Sequence, residues 1–422
     1  MKLVMVKASK VSIIATLSSV ILFTIIALTI RTCSSEGDAS VASNQHPTVS
    51  IDTAFQSRID SFVTHVPHVG TLGMMVYDAT AQRVVYSYNA DAMMSPASCM
   101  KLLTCITALR KFGKSVVHRT RLYTSGTMHG DTLVGNVTLK TQFDPLFIRD
   151  SLYVLTDALG EKGIHHLRGK VVLDMADYLP MQHEEHWTPG DLRVQYLGLP
   201  FLGGYRLRRE MLYALARLGI AVQQKDIVFG RLNYPESKLL AEMRTPMHSS
   251  IEKAMKNSSN INAEALLYPL GYTVSNKGHF RENGVKVLRA FISQELKMNP
   301  SSCAVIEDGC GLCPNDKLTA RLLVTLLNYA YQHKYIFEEI YTTLPLSGID
   351  GTLHDRMTKP HVREKIKAKT GTLTREEGIS SLAGYCKSDD GHTIIFAIIN
   401  NACPVMDGRW WQDKLWHSVL PR

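Results

Sequence analysis

The chain has 422 residues, of which 45% are hydrophobic and 20% charged, a composition that suits a globular protein of two or three domains. This length can bury a core without disulfides. The formal charge of +9 comes from scattered basic residues, without a lysine or arginine run, a zinc-finger spacing or an RNA-binding aromatic motif. The charge therefore argues against a nucleic-acid-binding protein and favours a solvated basic surface, with attraction to an anionic polymer as the alternative.

The N-terminal segment carries a targeting signal. Residues 11–30 form an apolar stretch without a charge, three lysines precede it and no acidic residue does. Twenty residues span a membrane, and the positive flank predicts an inside N-terminus and an exported body. No small-x-small site follows directly, so residues 1–32 are predicted as an uncleaved anchor, with a cleaved signal peptide as the alternative. Residues 33–50, rich in small polar residues, read as a flexible linker.

The next segment predicts a helix, two strands and a second helix. Residues 51–66 have helical apolar spacing, and 71–77 and 82–88 alternate as strands around a short turn. Residues 98–112 have a strong helical pattern, and Gly113 is a natural stop signal.

Residues 119–179 change character and predict a small inserted α+β domain. Short strands with glycine-containing turns come first, and a helix at 150–162 and a strand at 169–174 follow. Residues 51–118 and 180–422 would then form one main domain.

The remaining pattern is helical at first and closes with strands. Helices return from about residue 205, and 318–331 is a convincing helix. Three consecutive antiparallel strands are predicted at 365–372, 379–387 and 392–400, the last apolar enough to be central. Residues 408–420 read as a further helix.

Two short motifs resemble metal sites without matching one. Cys310 and Cys313 have C-x-x-C spacing, but no second pair accompanies them, which argues against zinc. A redox role is the alternative, and free buried thiols are the prediction for the cysteines. The segment from His183 to His186 matches neither H-E-x-x-H nor H-x-x-E-H, so it is predicted as a solvated polar turn.

Three further motifs fall in one order: S-x-x-K at 98–101, S-x-N at 258–260 and K-T-G at 369–371. Each is weak alone, since S-x-x-K occurs by chance in most chains of this length. Together they are the motif set of serine enzymes that acylate themselves on penicillin-like or D-Ala-D-Ala substrates.

The first motif supplies a nucleophile and a base. A serine hydroxyl needs a base, and Lys101 follows Ser98 by three residues on the same helix face. Burial, the positive end of the helix and a second cation such as Lys369 would lower the pKa of that lysine. On these two residues alone, a helix-capping serine and a surface lysine would be the better interpretation.

The second motif offers a hydroxyl and an amide beside Lys101. Ser258 can relay a proton to a leaving amine, and Asn260 can hold a backbone carbonyl of the substrate. An ordinary polar helix start is the alternative.

The third motif lies on a predicted strand, whose edge a substrate peptide could join. Lys369, Thr370 and Thr372 could bind a terminal carboxylate, and Gly371 would permit close backbone approach. The backbone N–H groups of Ser98 and Thr372 are the natural oxyanion hole.

The wider contexts of the motifs resemble one family, the class C low-molecular-mass penicillin-binding proteins, which are D-alanyl-D-alanine carboxypeptidases and endopeptidases. The resemblance covers roughly residues 51–420. It rests on the segments 96–101, 258–264, 308–312 with 318–319, 344–353, and 369–373 with 381–385.

The resemblance implies a transpeptidase-like, β-lactamase-like α+β fold with a five-stranded antiparallel sheet, a helical subdomain and a small inserted domain. It implies Ser98 as nucleophile, Lys101 as base, Ser258 and Asn260 as proton relay and substrate holder, and 369–372 as the carboxylate-binding strand. The implied substrates are peptidoglycan stem peptides, with β-lactams as covalent inhibitors, and the implied location is the periplasm or another extracytoplasmic face. No metal or organic cofactor is implied.

Several features depart from the family pattern. Only 157 positions separate Lys101 from Ser258, which leaves room for one small insertion. The usual Gly-Asp-Pro appears as 143–145 Phe-Asp-Pro, Asp-Gly-Ser-Gly-Leu-Ser becomes 308–313 Asp-Gly-Cys-Gly-Leu-Cys, and 374–378 looks lengthened. The changes at 308–313 and 374–378 bear on substrate preference more than on the reaction.

Two other functions stay open on the sequence. A serine β-lactamase would share the motifs, but no convincing E-x-x-x-N segment precedes K-T-G. A non-catalytic cell-wall-binding protein on the same fold is the other alternative, although the intact motif residues argue against it.

Overall fold

A computed structural model describes residues 53–182, 184–188, 197–374, 377–388 and 390–420. The predicted anchor and linker lie outside these residues. Within the described ranges, none of the helices combines the length and apolar character that a membrane crossing requires.

The helices and strands are given in chain order. The helices are α1 Thr53–His65, α2 Met100–Phe112, α3 Arg149–Glu161, α4 Gly204–Arg217, α5 Met247–Lys256, α6 Asn260–Tyr272, α7 Phe280–Gln294, α8 Pro300–Cys303, α9 Ala320–Gln332, α10 Lys334–Thr343 and α11 Val405–Val419. The strands are β1 Thr71–Asp78, β2 Arg83–Tyr88, β3 Val117–Ser125, β4 Thr127–His129, β5 Thr132–Val134, β6 Val137–Thr141, β7 His166–Arg168, β8 Val171–Met175, β9 Ile227–Phe229, β10 Ser237–Pro246, β11 Ala304–Val305, β12 Lys317–Leu318, β13 Ile366–Leu373, β14 Ile379–Lys387 and β15 Thr393–Asn401.

The main sheet has five strands in the order β13-β14-β15-β1-β2, and every neighbouring pair is antiparallel. This confirms the predicted fold class. Strand β15 is in the middle, as its apolar sequence predicts, because its two sets of alternating side chains are both buried.

The sheet has helices on both faces. Phe396 and Ile398 of β15 pack with α1 and α11 in one core, whereas Ala397 and Ile399 face a second core that includes α2, α6 and α9. Helix α2 buries ten consecutive residues, 100–109, which explains why apolar residues occur all round it. This central helix carries the S-x-x-K motif at its N-terminal end.

The insertion is larger than the 119–179 expected from the sequence. Its five-stranded sheet has the order β10-β3-β6-β8-β9, so it begins at β3 and closes at β10. Helix α4 also belongs to it, because Leu207, Met211 and Ala214 lie in the same core as β6 and β8. The helical pattern from about residue 205 does not reveal which sheet that helix will cover. For this reason the predicted and observed bounds of the insertion differ.

Candidate active site

The three motifs meet between the edge strand β13 and the helical subdomain, whose helices α2, α6 and α9 share one core. Lys101 lies within hydrogen-bonding distance of Ser98 and of Asn260, and Lys369 lies within the same range of Ser258. Residues up to 271 positions apart in the chain, Ser98 and Lys369, thus share one cleft, as the sequence predicts.

A short 3₁₀ turn, Ala97–Cys99, presents Ser98 just before α2. Ala97 has a φ of 43°, a strained value for a residue with a Cβ. Two contacts hold the turn on the sheet: the Ser381 hydroxyl donates to Pro96 O over 2.6 Å, and the Cys99 thiol donates to Lys369 O over 3.3 Å. Ser98, the predicted nucleophile, is therefore positioned by β13 and β14.

Gly371 is required by this packing. A Cβ at that position would lie 2.1 Å from Ser381 Oγ and 2.5 Å from Pro96 O, which is inside van der Waals contact. The sequence predicts that Gly371 permits close backbone approach, and the structure shows that the group approaching it is the turn that carries Ser98.

Lys101 is fully buried and has three polar neighbours. Its Nζ lies 2.8 Å from Ser98 Oγ, 2.7 Å from Asn260 Oδ1 and 2.6 Å from Cys310 O. Burial lowers the pKa of this amine. A neutral amine has two N–H donors and one lone pair. When Lys101 is neutral, the two oxygens that can only accept, on Asn260 and Cys310, take its N–H donors, and its lone pair then faces the Ser98 hydroxyl.

Lys369 is the second buried cation. Burial first, and the charge of Lys101 second, lower its pKa to about 7. Its Nζ donates to Ser258 Oγ over 2.9 Å and to Thr370 O over 2.8 Å. Ser258 is thus bonded to Lys369, whereas the sequence predicts both members of the S-x-N motif beside Lys101.

Two threonines of the third motif have partners that the sequence does not predict. Thr370 Oγ1 lies 2.7 Å from Thr352 Oγ1, and Arg409 Nη2 donates to Thr372 Oγ1 over 2.9 Å. Thr352 lies in the segment 344–353 and Arg409 on α11, so these contacts depend on the tertiary fold.

The free edge of β13 carries the predicted oxyanion donor. The Ala368 N–H donates to Pro345 O over 3.1 Å, on the side away from β14. Since N–H directions alternate along a strand, the Thr372 N–H points to this same edge. The carbonyl of a bound substrate can therefore meet it from the cleft.

The Asp308 loop completes the surroundings of Lys101. The buried Asp308 carboxylate accepts the backbone N–H groups of Cys310, Gly311, Leu312 and Cys313. This wrapping directs the Cys310 carbonyl toward Lys101. The segment Asp308-Gly-Cys-Gly-Leu is visible in the sequence, but a main-chain acceptor has no side-chain signature.

Glu264 is a further buried group beside this loop. Burial and the neighbouring Asp308 raise its pKa to about 8, so it is mostly protonated at neutral pH. Its Oε2 accepts the Gly309 N–H over 2.9 Å.

The cysteines that the structure describes are free and buried, which confirms the prediction for them.

His183 lies outside the described residues, but Glu184 is only 4% exposed and its Oε1 lies 2.6 Å from His186 Nδ1. The predicted solvated turn is therefore wrong for Glu184.

Two groups of side chains have metal-ligand chemistry among the described residues. In the group of Glu264, Asp308 and Cys310, both Asp308 oxygens already accept backbone N–H groups, so this carboxylate is committed to its loop. The other group is Glu184, His186 and Cys313.

Comparison with known proteins identifies relatives over most of the chain. The profile of the D-Ala-D-Ala carboxypeptidase 3 (S13) family matches residues 55–200 and 205–415. Carboxypeptidase DacB of Mycolicibacterium smegmatis is 24% identical over 378 residues, covering 83% of this chain and 80% of that protein. A D-alanyl-D-alanine carboxypeptidase of Actinomadura sp. (strain R39) is 28% identical over 201 residues, which cover 44% of this chain and 35% of that protein.

A solved structure has the same fold. The crystal structure of penicillin binding protein 4 (dacB) from Haemophilus influenzae superposes with a TM-score of 0.71 at 18% identity, covering 85% of this chain and 99% of that one. The family match extends over both the sheet and the helical subdomain that enclose the cleft. The chain therefore belongs to the D-Ala-D-Ala carboxypeptidase 3 (S13) family and is a class C low-molecular-mass penicillin-binding protein, a serine-type carboxypeptidase.

Proposed function

We propose that Ser98 is the nucleophile of a peptidase that removes terminal D-Ala from peptidoglycan stem peptides and cleaves their D-amino-acid cross-links. The observation that carries this proposal is the arrangement around Lys101, which leaves one lone pair for the Ser98 hydroxyl proton. Attack by Ser98 Oγ on the scissile carbonyl breaks the O–H bond, and Lys101 takes the proton.

The remaining groups act on the tetrahedral intermediate and the leaving group. The N–H groups of Ser98 and Thr372 hold the oxyanion. Lys369, with Thr370 and Thr372, binds the terminal carboxylate. Ser258, bonded to Lys369, gives its hydroxyl proton to the departing D-Ala amine and takes in exchange the proton that Lys101 received from Ser98, which returns Lys101 to its neutral form. The acyl-enzyme then reacts with water, or persists when the acyl group is a penicilloyl that blocks water.

The strand 369–372 holds the substrate by main-chain pairing as well as by charge. Its edge beyond Ala368 faces the cleft, so an extended stem peptide can add to the sheet as a further strand. Asn260, whose Oδ1 lies 2.7 Å from Lys101 Nζ, keeps its NH₂ group for a carbonyl of that peptide. Strand β13 and Asn260 at the start of α6 thus both position the substrate.

The location proposed for this enzyme is the extracytoplasmic face of the membrane, held there by residues 11–30. Family membership supports an extracytoplasmic cell-wall enzyme, and the apolar stretch behind three lysines supports the anchor. Fractionation tests this: the full chain should sediment with membranes and residues 45–422 should stay soluble. Recovery of the full chain in the soluble fraction would reject the anchor.

The function is tested by incubating residues 45–422 with benzylpenicillin and following intact mass over hours, with peptide mapping. We expect a long-lived adduct on Ser98, release of D-Ala from diacetyl-L-Lys-D-Ala-D-Ala, and neither with Ser98→Ala, whose circular dichroism should be unchanged. Rapid penicillin hydrolysis without an adduct would indicate a β-lactamase. Labelling of Ser98→Ala would reject the nucleophile.

A further inference from the structure

Two segments that each lack a metal motif come together in the fold. Glu184, His186 and Cys313 each offer one ligand atom, and these three atoms all lie within 4.8 Å of one another. Glu184 is 4% exposed and Cys313 is fully buried, whereas His186 is partly exposed. The group therefore lies at the protein surface with its two acidic members on the inner side.

The two segments are held on one carboxylate. The Trp187 indole N–H donates to Asp308 Oδ2 over 2.8 Å, and the Cys313 N–H donates to the same oxygen over 2.8 Å. Trp187 follows His186 directly in the chain. Hydrogen bonds to Asp308 therefore fix the chain next to His186 and at Cys313. A pre-organised metal site requires this kind of support.

We propose that Glu184, His186 and Cys313 bind a zinc ion, with water as the fourth ligand. Thiolate, imidazole and carboxylate are the three protein ligand types that Zn²⁺ takes, and it prefers four of them in a tetrahedron. The mixed sulfur and nitrogen donors disfavour Mg²⁺ and Ca²⁺, which prefer oxygen. On binding, the Cys313 S–H bond breaks, a Zn–S bond forms and the proton leaves to solvent. The two anionic ligands then balance the charge of the ion.

The surroundings of His186 suit a coordinated imidazole. Its Nδ1 lies 2.6 Å from Glu184 Oε1, and its Nε2 lies 3.1 Å from Asn315 Nδ2. A zinc ion on Nδ1 would replace the contact with Glu184 and leave a proton on Nε2. Metal-bound histidines usually donate that second N–H to a nearby oxygen, and a half-turn of the Asn315 amide supplies one.

The site would stiffen the loop that contacts the catalytic base. Cys313 lies three residues after Cys310, whose carbonyl is 2.6 Å from Lys101 Nζ. A zinc ion would tie this loop to the segment 184–188 independently of the Trp187 contact. This consequence rests on the proposed role of Lys101, whereas the zinc site itself does not.

Cobalt provides a test that does not depend on activity. Metal-free residues 45–422 are titrated with Co²⁺ under reducing conditions, and the absorption spectrum is recorded. The variants are Cys313→Ser and His186→Ala. Cys303→Ser is the matched control, because Cys303 is also buried and free, and its thiol donates to Asn299 O over 3.1 Å, an acceptor that a serine hydroxyl can keep.

We expect one equivalent of Co²⁺ with thiolate charge-transfer and tetrahedral ligand-field bands, displaced by Zn²⁺. Cys313→Ser should lose the charge-transfer band, His186→Ala should bind at least tenfold more weakly, and Cys303→Ser should match the parent chain. Absence of the bands in the parent chain, or bands that survive Cys313→Ser, would overturn the zinc site. Penicillin labelling of the same samples reports separately on the proposed function.

Discussion

Lys369 places a cationic group in a fully buried position, and this has a pH-dependent consequence for stability. Its folded-state pKa is about 7 against an ordinary value of 10.5. Below both values the unfolded chain holds the proton more favourably than the folded chain, so burial of Lys369 destabilises the fold. The penalty decreases as the pH rises from about 7 and disappears above about 10.5.

We therefore expect Lys369→Met to raise the free energy of unfolding by about 2–4 kcal/mol at pH 6, with a smaller gain at pH 9. Urea unfolding over a pH series measures this. Lys334→Met is the control, because that side chain is 91% exposed and should leave the pH dependence unaltered. A pH-independent gain would show that packing, rather than desolvation of a charge, causes the effect. Carboxypeptidase activity should be lost with the amine.

The residue-scale predictions succeed where a side chain has a recognisable chemical type. The motif residues come together as the sequence indicates, but the partner of Ser258 is Lys369. The Cys310 carbonyl and the neutral Glu264 could not be predicted, since one is a main-chain group and the other depends on burial. Whether a residue is buried depends on the helices that pack over it, and the local sequence does not show which helices these are.

At the scale of elements, the contact between β13 and the turn before α2 can be tested by adding one methyl group. Gly371→Ala would push the added Cβ against Pro96 O and Ser381 Oγ, so the turn carrying Ser98 must move. A displacement near 1 Å at a reacting atom costs about 10²-fold in rate, and overpacking destabilises by about 1–3 kcal/mol. Both effects are expected, and stopped-flow acylation by a chromogenic cephalosporin measures the first.

Gly160→Ala is the matched control for this substitution. Gly160 lies in α3 of the insertion, and an added Cβ there meets nothing within 4 Å. This variant should be slightly more stable, by about 0.5–1 kcal/mol, with an unchanged acylation rate. Equal acylation by Gly371→Ala and the parent chain would mean that the turn adjusts without moving Ser98.

Most elements of the main sheet could be predicted because their patterns are long and uniform. The strands at 365–372, 379–387 and 392–400 are found at Ile366–Leu373, Ile379–Lys387 and Thr393–Asn401. The insertion was harder, because amphipathic helix α4 has an apolar stripe but no information on which sheet it covers. Assigning it required the tertiary contacts of Leu207 and Met211.

At the scale of the whole molecule, the two sheets differ in how far apart their strands lie in the sequence. The insertion sheet is complete between β3 and β10, whereas the main sheet places β15, near the end of the described chain, beside β1, near its start. Helices α1 and α11 close the same face, with the Phe62 and Trp411 rings 5.2 Å apart. The active site thus depends on contacts between sequence-distant segments.

We expect a chain that stops at residue 387 to retain a folded insertion and to lack penicillin labelling. The missing β15 removes the centre of the main sheet, while β3 to β10 keep all their partners. Limited proteolysis with mass spectrometry should yield a protected fragment close to residues 117–246, and complete digestion of that region would contradict the expectation.

The pairing of β1 with β15 also has a consequence for the proposed export of this enzyme. When the body follows its membrane anchor across the membrane, as proposed, Ser98 emerges first, Lys369 much later, and β15 and α11 later still. Until those two elements have emerged, Ser98 has no sheet against which its turn can be held. The enzyme exported in this order, as proposed, would acquire its complete active site only after nearly the whole chain has crossed the membrane.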